Sequence, residues 1–102
     1  MSTDAVLLVC MGVVLFTLLA LEGERRFAGR ARIPIHWGFD MRPNGAAPRR
    51  IGLAIFPVLG STVLLVLGLH GAPVFILAAA LLSLATLNCL YFRAVARAPA
   101  TP

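Results

Sequence analysis

The 102-residue chain has no lysine, and only 13% of its residues are charged. Soluble domains carry about a quarter charged residues, so the composition excludes a soluble globular protein. Four acidic residues face nine arginines, which alone produce the formal charge of +5. Hydrophobic residues make up 60% of the chain, and the mean hydropathy is +0.92. The length permits a single domain, and the composition makes that domain an integral membrane protein.

Other scarcities narrow the function. Cys10 and Cys89 both lie inside apolar runs, without the spacing of a metal pair, and are expected to behave as small hydrophobes. Aromatic residues are not interleaved with the arginines as a base-stacking platform requires, so no nucleic-acid partner is expected despite a pI near 11.1. The arginines are expected instead to set topology and meet anionic headgroups. No cofactor motif is present. No Lys or Arg precedes the first apolar run, and Leu-Glu-Gly-Glu-Arg-Arg follows it. A cleaved signal peptide would reverse those flanks, so a retained span is expected.

Three apolar runs predict an all-α membrane fold with three transmembrane helices, at 5–21, 51–69 and 74–92. Ser2, Thr3 and Asp4 offer caps for the first. Its 17 charge-free residues reach about 25 Å, the short end for a bilayer core. Pro57 interrupts the second run, and the Ser61 or Thr62 hydroxyl is expected to re-satisfy a freed carbonyl. Gly52, Gly60 and Gly68 recur every eight residues on one face of that helix. A small-xxx-small pair on the third, Ala79 and Ser83, is expected to pack against them. His70-Gly71-Ala72-Pro73 is a tight break. Asn88, near Tyr91 and Arg93, is expected at the helix end within reach of interfacial water. A loosely ordered tail is expected from Arg93 onward.

The 22–50 connection holds seven arginines, Arg25, Arg26, Arg30, Arg32, Arg42, Arg49 and Arg50, and the tail holds Arg93 and Arg97. The N-terminus and the Gly71 break hold none. The positive-inside rule therefore predicts an N-terminus outside, with the connection and C-terminus in the cytoplasm. Glu22–Arg32 is expected to continue the first helix or lie along the interface, with Arg25, Arg26, Arg30, Arg32, Arg49 and Arg50 at the headgroups.

Ile33–Arg50 is the one long internal segment that is not uniformly apolar, and specific chemistry is expected there. Pro34 makes Ile33-Pro34-Ile35 extended. Trp37 suits the headgroup boundary. Arg42-Pro43-Asn44-Gly45 predicts a turn. His36 and Asp40 lie four apart, but a zinc site needs three or four ligands, and His70 is the sole further histidine. Hydrolysis would also need a nucleophile and a water-excluding pocket. The reading that weighs most is that His36 and Asp40 hydrogen-bond within the loop and shape it, so neither a metal nor catalysis is expected.

Ile33-Pro34-Ile35-His36-Trp37-Gly38, followed by Pro43-Asn44-Gly45 and a basic residue before a Pro-containing helix, resembles the bacterial membrane domain that opens the SdpI-type immunity proteins. The resemblance covers about residues 5–60. It departs from the family pattern at Met41 and at Ala46-Ala47-Pro48. It implies residence in the bacterial cytoplasmic membrane and a non-catalytic immunity or sensing role against a peptide or protein toxin. Ile33, Pro34, His36, Trp37, Asp40, Pro43, Asn44 and Gly45 would then be the motif residues. It also implies that the loop faces outside, opposite to the charge count. The alternative reading is an accessory subunit of a larger membrane complex, or an oligomer, packed through the Gly60 and Ala79 faces.

Overall fold

A computed structural model describes residues 2–37 and 43–97, and for 34–37 and 43–47 it describes the backbone. The chain runs α1 (Thr3–Arg26), β1 (Arg32–Trp37), β2 (Pro43–Pro48), α2 (Arg49–Leu69) and α3 (Val74–Arg97). All three helices are long and apolar enough to cross a membrane. This is a small, multi-pass, three-span helical membrane protein.

Each helix follows local chemistry at its ends. Ser2 caps α1, its Oγ accepting a hydrogen bond from the Ala5 amide at 3.1 Å, while Asp4 in the first turn complements the helix dipole. The helix then runs on through Glu22–Arg26, so the charged segment extends the span. Below it, Glu22 binds Arg25 and Arg26 at 2.6 and 2.8 Å, pairings of the i,i+3 and i,i+4 kind that suit continued helix. Gly71, at φ +78, makes the reversal between α2 and α3. The His70 Nδ1 lies 2.9 Å from the Val66 carbonyl at the end of α2. Arg93–Arg97 is helical, a correction to the loosely ordered tail expected from Arg93 onward, and 98–102 lie outside the described residues.

The buried positions alternate by four and three: Ala5, Val9, Gly12, Phe16, Leu19 and Gly23 on α1, and Leu53, Pro57, Gly60, Leu64 and Leu67 on α2, with Leu19 and Leu67 only partly buried. On α3 the same alternation runs through Leu77, Leu81, Leu84, Asn88, Tyr91 and Val95, with Leu81 and Leu84 partly buried. This heptad pattern gives nearly aligned, interlocking helices. Phe16 lies against Gly60, Leu64 against Gly12, and Leu53 against Gly23. In each pair a large side chain fills the space of a missing one, and the residue numbers of each pair add to the same total. Such agreement defines one antiparallel register along the whole α1–α2 seam. Leu81 at Gly12 and Phe92 at Gly23 set α3 parallel to α1.

Gly52, Gly60 and Gly68 are buried, as the eight-residue spacing predicts. Ala79 and Ser83 are exposed, a correction to the expected small-residue pairing. They fall off the heptad seam of α3, and Gly60 receives the Phe16 ring from α1 instead. Neither Ser61 nor Thr62 donates to a carbonyl in α2 among the described residues; back-bonding of this kind is made by Thr17 on α1, to Val13, and by Thr86 on α3, to Leu82. Cys10 and Cys89 are unpaired and exposed, on the outer surface of the bundle.

Candidate functional site at the arginine-rich end

The helix directions bring the end of α1, the start of α2 and the end of α3 together, so every described arginine lies at one end of the bundle. There the α1–α2 connection folds into a two-stranded antiparallel ribbon, β1 against β2. Its register pairs Arg32 with Pro48, Ile33 with Ala47, Pro34 with Ala46, His36 with Gly45 and Trp37 with Pro43. Ile35 and Asn44 fall at the register shifts, which bend and twist a ribbon. Two strands have only edges, so Pro34, Pro43 and Pro48 block no neighbouring ladder.

This geometry revises the expected turn. Pro43, Asn44 and Gly45 belong to β2, and Arg42 lies outside the described residues. Asp40 lies there too. His36 stands in β1, whereas His70 ends α2 at the opposite end of the bundle. A 21-residue helix separates them by about 30 Å, so His70 cannot join His36 at a common ion.

The ribbon is fixed to the bundle by apolar and polar devices. Ile33 is fully buried, in a cluster with Phe27, Leu53, Tyr91, Phe92 and Val95. It is therefore an anchor and not a contact surface, a correction to its place among the binding residues. Phe27 and Phe92 meet edge to face at 5.9 Å, and Phe56 lies 5.3 Å from Tyr91. Such aromatic pairs add to the stabilisation from burial alone.

Arg49 is the polar clasp. Its Nε donates to Glu24 at 3.0 Å, and its Nη1 donates to the Ala28 and Arg30 carbonyls at 2.8 and 2.9 Å. Its amide also donates to the Ala31 carbonyl at 3.0 Å. One residue thus holds the end of α1, the 27–31 link and the start of α2. Arg30 does comparable work on the other side: its Nη1 donates at 2.6 Å to the Val95 carbonyl, in the last turn of α3. Terminal carbonyls there lack intrahelical partners, and a cation is favoured by the dipole.

The six arginines assigned to headgroups therefore divide. Arg30 and Arg49 are turned to internal bonds. Arg25 and Arg26 share Glu22 while staying largely exposed, and Arg26 also lies 6.0 Å from the Phe92 ring. Arg32 and Arg50 are exposed.

Asn88 also departs from expectation. It is fully buried within the bundle, and neither its Oδ1 nor its Nδ2 has a hydrogen-bond partner among the described residues. Nearness to Arg93 in sequence places it near the helix end, but its heptad phase with Leu84 and Tyr91 turns it inward. That phase is the signal that would have located it, and the same reading would have found Gly12 and Gly23 on α1. No protein-family model matches the chain, and no curated protein or solved structure is detectably similar to it.

Proposed function

We propose that this membrane protein acts without catalysis, as a recognition module of the SdpI-like kind. In this reading Pro34, His36, Trp37, Pro43, Asn44 and Gly45 of the ribbon, together with Asp40 of the sequence between its strands, meet a peptide or protein toxin. The observation that supports it is the anchoring of the ribbon: Ile33 and the Arg49 clasp hold its base, so the motif starts from a fixed position. Pre-organisation of this kind reduces the ordering cost of binding. The test is resistance of bacteria expressing the chain to a panel of secreted peptide toxins. Resistance lost on replacing His36 and Trp37 with alanine supports the reading, and unchanged sensitivity to the whole panel removes the immunity role.

The bacterial cytoplasmic membrane is the proposed location, with the N-terminus outside and the ribbon in the cytoplasm. The arginines gathered at one end support this orientation. A cysteine placed at Asn44, with Cys10 and Cys89 replaced, reports it through an impermeant maleimide. Labelling only after cells are opened is expected. Labelling of intact cells reverses the orientation and favours a toxin met outside.

A second reading is an accessory subunit of a larger membrane complex. The exposed Ala79 and Ser83 on α3 favour it, since small residues admit a neighbouring helix; buried Gly60 no longer contributes. Co-purification of a stoichiometric membrane partner, abolished by Ala79→Leu, is the measurement that separates it from the first.

A further inference from the structure

Residues Arg50, Ala54, Val58 and Thr62 form one i,i+4 row on the outer face of α2, and Ile55 and Leu59 belong to the next. Rows of this kind are the ridges of a helix surface, and the small Ala54 lowers the first ridge below Arg50. The result is a shallow trough of about 570 Å³ whose lining is apolar apart from Arg50 and Thr62. Along the helix axis it runs about 18 Å from Arg50 to Thr62. One leaflet of hydrocarbon is about 15 Å deep. The trough thus begins at headgroup depth and ends near the bilayer middle.

The charge at its mouth is open to a ligand. Among the described residues, the carboxylate of Glu22 is taken by Arg25 and Arg26, and that of Glu24 by Arg49. Asp4 lies in the first turn of α1, at the far end of the bundle. Arg50 is exposed and forms no ion pair or hydrogen bond with them. A second apolar groove gives the contrast. It runs along α1 through Leu7, Met11, Val14 and Leu18, measures about 450 Å³, and has no cation in its lining. We propose that the α2 trough is a binding site for one anionic diacyl phospholipid, its phosphate on Arg50 and one acyl chain lying along Ala54 and Val58 toward Thr62. A phosphate suits the forked guanidinium, and the site is independent of any toxin recognition by the ribbon.

The experiment is native mass spectrometry of the full chain in mild detergent, titrated with dioleoyl phosphatidylglycerol or with dioleoyl phosphatidylcholine. One phosphatidylglycerol is expected to survive activation that strips phosphatidylcholine. Arg50→Ala is expected to weaken the first adduct about fivefold, the effect of one basic residue near an anionic surface. Ala54→Leu, which fills the trough, is expected to weaken both lipids, while Leu15→Phe in the α1 groove leaves them unchanged. Arg97→Ala removes the same charge elsewhere and is expected to preserve the adduct. Equal retention of the two lipids overturns the proposal. So does an equal loss in Arg50→Ala and Arg97→Ala, which would mean diffuse attraction, or a dimer abolished by Ala54→Leu, which would give the trough to a second copy. Circular dichroism confirms that each variant is folded, and these outer-face positions leave the α1–α2 seam untouched.

Discussion

The α1–α2 seam and the flank occupied by α3 are built to different degrees of closeness. Along the seam, Phe16, Leu64 and Leu53 each enter the space left by a glycine, so shape alone fixes the pairing. The α3 flank brings no glycine of its own; its Leu81 and Phe92 share the spaces at Gly12 and Gly23, and a third of α2's apolar window is buried against 17% of α3's. That flank also encloses an amide with no partner, at Asn88. The comparison teaches that a helix bundle in lipid can be specified tightly on one side while tolerating an unsatisfied polar group on the other. In lipid, where apolar surface is not driven together by water, close backbone approach is the main source of helix affinity.

The strongest way to break the comparison is to fill a glycine of the seam. A Cβ at Gly60 would lie 2.5 Å from the Phe16 ring, so Gly60→Val is expected to destabilise the bundle by about 1–3 kcal/mol. Thermal unfolding in detergent should show it, and adding Phe16→Ala should restore part of the loss. Next in size is Arg49→Met, which removes charge-assisted bonds to Glu24 and two carbonyls and should cost about 1–2 kcal/mol. Its effect should appear as faster amide exchange at Ile33 and the 27–31 link, with the melting of the helices little changed.

The looser flank is sharpened by Asn88→Leu. Replacing an unpartnered buried amide by an apolar side chain of similar size is expected to raise stability by about 1 kcal/mol, read as a higher melting temperature. A fall would mean that the amide is paired in the bilayer. Smallest of all, Ala79→Leu with Ser83→Leu should change the stability of the single chain by under about 0.5 kcal/mol, because both positions are exposed. The thermal scan that checks this also tests whether α3 has a free outer face.

How much of this was legible in the sequence depended on whether one helix sufficed to decide it. Three charge-free runs announce three spans, and Ser2 and Gly71 mark ends through local torsion and capping. The glycines of α2 show their shared face by spacing. Their partners do not, because Phe16 opposite Gly60 is a fact of register between two helices. Ala79 and Ser83 look like packing residues by size, yet the heptad phase through Leu77, Leu84 and Asn88 turns them outward. The ribbon was hardest to read. Pro43-Asn44-Gly45-Ala46-Ala47-Pro48 has no β-branched or aromatic residue and reads as a turn. It is strand because Ile33 and the Arg49 clasp fix the base of the ribbon, where β1 pairs with it. Of the site, Pro34 as extended backbone was legible, whereas the inward use of Arg30 and Arg49 was not, since an arginine's bonding partner cannot be read from its charge.

The shared register of the seam also has a mechanical consequence. Sliding α1 along α2 by one residue, about 1.5 Å, would push Phe16 off Gly60. The same stroke would lift Leu64 from Gly12 and Leu53 from Gly23, so three catches would have to release together. The two helices therefore behave as a single strut, which a force on the ribbon can tilt or rotate but not telescope. The third helix is held to the same strut by Leu81 at Gly12 and Phe92 at Gly23, and its end is tethered to the ribbon's base by the bond from Arg30 to Val95.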